Sequence, residues 1–132
     1  AAWQAALGPL APRLPWRYSY APRADAPGLE NRMGWAELVG PAAPIPSDRV
    51  GFGLTLIARN TYYPPHFHPA VELYRVVAGP SQWTLEGKTR LRRPGDFILH
   101  PANARHAMRA LEAPLLAIYS WTGDIVSPTT YL

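Results

Sequence analysis

Cysteine is absent from this 132-residue chain, which excludes disulfide scaffolds, thiolate metal sites and cysteine nucleophiles. Long apolar runs are absent too: no stretch reaches the roughly 18 residues of a membrane-spanning helix. Ala1-Ala2-Trp3-Gln4 carries neither a basic n-region nor a long apolar segment, so no signal peptide is visible. The expectation is a cytoplasmic protein with no membrane role. The first residue is not methionine, so residues upstream of Ala1 stay open. Lysine is nearly missing, one residue against 12 arginines. The formal net charge of +4 is thus almost all guanidinium. Those arginines are scattered, and the one cluster, Arg90, Arg92 and Arg93, reads as a solvated strand and turn rather than a nucleic-acid patch. Gly-rich phosphate loops and internal repeats are also lacking.

What is plentiful is punctuation. Sixteen prolines and ten glycines break or weaken helix interiors. Short strands divided by turns fit better, with turn signals recurring about every 8–12 residues. The length suits one domain. Residues 1–33 form an N-terminal arm, with a short helix at Trp3–Leu7 followed by Pro9, Pro12, Pro15, Pro22 and Pro27. Its Trp3, Trp16, Tyr18 and Tyr20 are expected on the barrel exterior or on a partner, the competing reading being a mobile tail. Strands are expected at Trp35–Val39, Phe52–Ala58, Val71–Val77, Gln82–Leu85, Thr89–Arg92, Asp96–His100, Arg105–Arg109 and Leu115–Trp121. Phe52, Leu54 and Leu56 share one face, and Glu86-Gly87-Lys88 is a hairpin signal. The set spans 34–132 as an all-β barrel or sandwich.

The dense chemistry lies in Tyr62-Tyr63-Pro64-Pro65-His66-Phe67-His68-Pro69-Ala70-Val71-Glu72-Leu73-Tyr74. On a near-regular strand, His66, His68, Glu72 and Tyr74 have the same parity and face one way. Two imidazoles and a carboxylate on one face make a site for a divalent transition metal: zinc, iron, manganese or nickel. A further ligand must come from another strand, and His106 is the best placed. His100, before a proline at a strand end, reads as structural or supporting. Tyr119, Trp83 and Phe97 read as packing.

These residues resemble the two cupin motifs. The first runs His66-x-His68, three residues, Glu72, six residues, Gly79; Asn60 stands where the family has its leading glycine. The second runs Gly95, five residues, Pro101, then Asn103 and His106, with Asn103 in place of the usual glycine and Ala110 in place of the usual asparagine. The resemblance implies a single double-stranded β-helix (jelly-roll) barrel holding one metal on His66, His68, Glu72 and His106. A narrower likeness extends it. Tyr63-x-x-His66-x-His68-x-x-x-Glu72-x-Tyr74, with His106 and Trp121, resembles the cupin-type dimethylsulfoniopropionate (DMSP) lyases, which cleave DMSP to dimethyl sulfide and acrylate. That likeness implies Tyr74 as base, Tyr63 positioning substrate or assisting proton transfer, and Trp121 holding the sulfonium. It also makes a homodimer plausible. Two other readings compete: another metal-dependent cupin enzyme, such as a dioxygenase or isomerase, and a non-enzymatic small-ligand-binding cupin.

Overall fold

The computed structural model describes residues 2–132 and is built almost wholly from strands. A six-residue helix, α1 (Ala2–Leu7), precedes twelve strands: β1 (Trp16–Arg17), β2 (Met33–Gly40), β3 (Ile45–Pro46), β4 (Val50–Ile57), β5 (Tyr62–Phe67), β6 (Val71–Ala78), β7 (Ser81–Leu85), β8 (Lys88–Arg92), β9 (Phe97–His100), β10 (His106–Ala110), β11 (Leu115–Thr122) and β12 (Thr130–Tyr131). Seven of them form one sheet in the order β1-β2-β4-β11-β6-β9, with β3 beside β2. Five form the other, β12-β5-β10-β7-β8. All pairings but β2–β3 are antiparallel. The two sheets close over a core that includes Ile57, Val76 and Leu115 from one and Trp83 and Met108 from the other. Full burial of each such side chain contributes about 1.5–3 kcal/mol.

Turn chemistry explains the register. Between β7 and β8, Glu86 (φ 47°) and Gly87 (φ 75°) are both left-handed, as a two-residue turn matched to strand twist requires. Asn60 (φ 56°) and Asn103 (φ 62°) are left-handed as well. Asparagine tolerates that region, which lets it stand where the resembled motifs have glycine. Gly79 has no such substitute: its φ is 82°, and a Cβ there would lie 2.0 Å from the Pro114 carbonyl oxygen.

Two expectations change, and a third gains a direction. The segment Tyr62–Tyr74 is not one strand. It breaks at His68–Ala70, so that β5 joins the smaller sheet and β6 the larger. The histidines and Glu72 therefore meet because two sheets face one another, not because they share a strand. Phe52, Leu54 and Leu56 share a face as expected, and it is the outer one. Gly51, Gly53, Thr55 and Ile57 point inward, and Phe52 and Leu56 remain exposed. Part of that outer face is met by the arm, where Trp3 and Leu7 border a small apolar groove with Leu54, Leu56 and Leu116. Tyr18 and Tyr20, expected outside, instead pack against the core beside Trp35, since β1 pairs with β2 and carries the chain inward.

Candidate metal centre and substrate cavity

His66 ends a buried run on β5, His68 follows in the turn and His106 opens β10, where it pairs with His66. Glu72 lies on β6 between Trp121 of β11 and His100 of β9. All these histidines and Glu72 are buried. The atoms that converge within 4.8 Å of one another belong to His68, Glu72 and His106. His66 stands beside them, its ring centroid 4.1 Å from that of His106.

Hydrogen bonding fixes what the rings present to this point. Nδ1 of His66, His68 and His106 lies 2.7, 3.1 and 2.8 Å from the carbonyl oxygens of Pro64, Ala70 and Ala104 respectively. A carbonyl only accepts, so each Nδ1 carries the proton and each Nε2 is left with a lone pair in the neutral ring. His106 Nε2 is buried without a hydrogen-bond partner among the described residues and sits 3.5 Å from Glu72 Oε2. His68 Nε2 sits 3.0 Å from the same oxygen. Acceptors crowded this closely need positive charge between them, either a second proton on His68 or a metal ion. The donor set, two imidazole nitrogens and a carboxylate oxygen, suits a divalent transition metal. The arrangement fits one.

Electrostatics agree. Burial pushes His66 down to about 4, against the pull of the Pro64 carbonyl and Glu72. Burial and the neighbouring His66 push His106 down to about 2. Both rings are therefore neutral at physiological pH. Burial alone would raise the Glu72 carboxyl, but the bond from His100 and the close His68 and His106 rings outweigh it and hold it well below the usual carboxylate range. Glu72 Oε1 accepts the indole N–H of Trp121 at 2.7 Å, and the Trp121 ring leans on His68 at 4.4 Å.

The centre opens into a cavity of about 650 Å³ that also meets Tyr63, Tyr74 and Trp121. Tyr74 is two residues past Glu72, its hydroxyl 3.5 Å from Thr55 Oγ1. Tyr63 leans on His66 with ring centroids 4.0 Å apart, donates to the Tyr20 hydroxyl at 3.1 Å and meets the Tyr131 hydroxyl at 3.2 Å. Both phenols are pushed well up, first by burial, then by Tyr20 for Tyr63 and by the Glu72 charge for Tyr74. Sequence reading missed Tyr20, Trp35, Glu37 and Tyr131 as cavity walls. It also missed the Trp83 indole N–H, which bonds to His100 Nε2 at 2.9 Å. Phe97 is exposed on the outer face rather than packed inside.

The family model for dimethylsulfoniopropionate lyase matches residues 2–117. The chain belongs to the DMSP lyase family. It is similar to the DMSP lyase DddQ of Ruegeria pomeroyi, with 32% identity over 111 residues, 83% of this chain and 55% of that one. It is similar also to the putative DMSP lyase DddL of Cereibacter sphaeroides, with 35% identity over 121 residues, 90% of this chain and 50% of that one. The chain spans about half the length of these curated relatives. Its fold superposes on the crystal structure of the R. pomeroyi DddQ with a TM-score of 0.86 at 30% identity, covering 98% of this chain and 66% of that one. A cupin-like protein of Thermotoga maritima, at 17% identity and a TM-score of 0.64 over 87% of this chain and 89% of that one, matches in fold alone. The barrel is a cupin. Among the described residues, no helix is long and apolar enough to cross a membrane.

Proposed function

We propose that the protein is a metal-dependent lyase that β-eliminates DMSP to dimethyl sulfide and acrylate. The observation that carries this reading is the meeting of His68, His106 and Glu72, with both Nε2 atoms near Glu72 Oε2, at the end of a cavity lined by His68, Glu72, Tyr63, Tyr74 and Trp121. His68, Glu72 and His106 would hold the ion, with His66 beside them on the neighbouring strand. A bound divalent cation supplies Lewis acidity at a substrate carboxylate and favours a nearby phenolate.

Tyr74, on this reading, takes the proton next to the substrate carboxylate. The electron pair of that C–H bond becomes the C=C bond of acrylate. The C–S bond breaks, and its pair leaves with sulfur as neutral dimethyl sulfide. Tyr63 orients the carboxylate end, its hydroxyl steadied by Tyr20 and Tyr131. Trp121 attracts the sulfonium by a cation–π contact worth about 0.5–2 kcal/mol, while its N–H keeps Glu72 in place. The arm, residues 1–33, screens the site from water through Tyr20, which lines the cavity. Headspace dimethyl sulfide from metal-loaded protein given DMSP tests the proposal. Steady release supports it; no release with zinc, manganese, iron or nickel overturns the lyase reading.

A further inference from the structure

His100 is wholly buried, and so is Trp83, yet neither touches the cavity. His100 lies between Trp83 and Glu72. Its Nε2 takes the Trp83 indole N–H at 2.9 Å, and its Nδ1 lies 3.1 Å from Glu72 Oε2. An indole N–H can only donate. His100 Nε2 must therefore offer its lone pair inward to Trp83, which leaves the single ring proton on Nδ1, aimed at Glu72. The ring is held in this pose by His106, whose centroid is 3.9 Å away, and by Tyr74 at 5.5 Å.

We propose that Trp83 and His100 form a hydrogen-bond relay that positions Glu72 and keeps His100 itself out of the ligand set. The inference rests on the metal reading of the centre, not on the identity of the substrate. Both nitrogens of His100 are spoken for, so a histidine within reach of the centre cannot compete as a ligand. The Glu72 carboxylate is pinned at both oxygens, by Trp121 on Oε1 and His100 on Oε2. Pinning leaves the free lone pair of Oε2 aimed at the His68 and His106 nitrogens. Partners of this kind behind a metal ligand change metal affinity by about 10–100-fold when removed. Trp83 and His100 are positioning residues, since neither meets the cavity.

Two measurements test the relay. The first is nitrogen-15 NMR of the metal-free protein, with the His100 signals assigned by their loss in His100→Asn. His100 is expected to carry its proton on Nδ1. In Trp83→Phe, where the donor to Nε2 is gone, His100 should drift to mixed tautomers while His66, His68 and His106 do not. The second is zinc affinity at fixed pH, by competition with a chelator. His100→Leu should weaken zinc about 10–100-fold, whereas His100→Asn, which keeps an N–H where Nδ1 stood, should stay within a few-fold of the parent. A folded His100→Leu that binds zinc unchanged overturns the proposal, as does His100→Asn falling as far as His100→Leu. A proton on His100 Nε2 overturns it whether or not the variants fold. If the parent binds no zinc, the metal reading fails, and the tautomer still decides the relay.

Discussion

The Tyr63 hydroxyl donates to that of Tyr20, 43 residues earlier in the chain, at 3.1 Å. An arm residue thus completes the wall of the centre. Tyr20 packs at a tilt against Trp35 and meets Tyr131 edge-on, so the arm and strand β12 are tied through one aromatic cluster. Tyr20→Phe is expected to lower stability by about 0.5–1.5 kcal/mol, the net value of one hydrogen bond, read as a lower urea midpoint. Zinc affinity should not change, because no ligand loses a partner.

Metal should stabilise the fold. Zinc at 100 times its dissociation constant adds about 2.7 kcal/mol if the unfolded chain does not bind it. Thermal unfolding with and without zinc, then with excess chelator, measures this. His106→Ala should abolish the rise, since it removes the nitrogen that has no other partner.

Acid should unfold the metal-free protein early. His66 and His106 are held neutral, with folded values of about 4 and about 2, while in the unfolded chain they protonate near 6.5. Below about pH 6.5 the unfolded state therefore binds more protons, and stability falls by up to about 1.4 kcal/mol per pH unit for each histidine. Glu72, held below its usual range, acts in the same direction below about pH 4.5. Urea midpoints that stay level between pH 7 and 4.5 would contradict this account.

Alkali should unfold it too. Burial raises Tyr63, Tyr74, Tyr119 and Tyr131, so these phenols stay protonated in the fold while unfolded ones ionise near 10. Stability present below pH 10 is then lost above it. Absorbance at 295 nm should show these four of the seven tyrosines ionising only on unfolding.

On the proposed chemistry, Tyr74→Phe should cut dimethyl sulfide release by about 10²–10⁴-fold, the usual worth of a general base. Tyr63→Phe should act mainly on KM. Equal losses in kcat for both would move the base to Tyr63 or to the pair.

The candidate metal group was legible in part because His68 and Glu72 sit four positions apart, with His106 as a downstream strand histidine. The barrel was legible because proline and glycine mark its turns. Parity on a single strand does not describe how these residues meet, since the prolines at 64, 65 and 69 give no sign of where β5 leaves one sheet and β6 enters the other. The inward face of β4 leaves little apolar trace because Gly51, Gly53 and Thr55 precede Ile57 on it: a Cβ at Gly53 would come within 2.7 Å of the Tyr119 hydroxyl. Tyr20, Tyr131 and Trp83 reach their partners across 43, 68 and 17 residues. Contacts so distant leave no periodic trace.

The arginine cluster has a consequence for how copies of this chain meet. Lys88, Arg90 and Arg92 all lie on β8, the last strand of the five-stranded sheet. One side of its backbone faces no neighbouring strand, and such an edge invites another chain to add itself and start an aggregate. Like charges at exposed Lys88 and Arg90 would repel an identical edge, the usual protection of such a strand. Neutralising them should leave the metal centre untouched and shorten the time to precipitation.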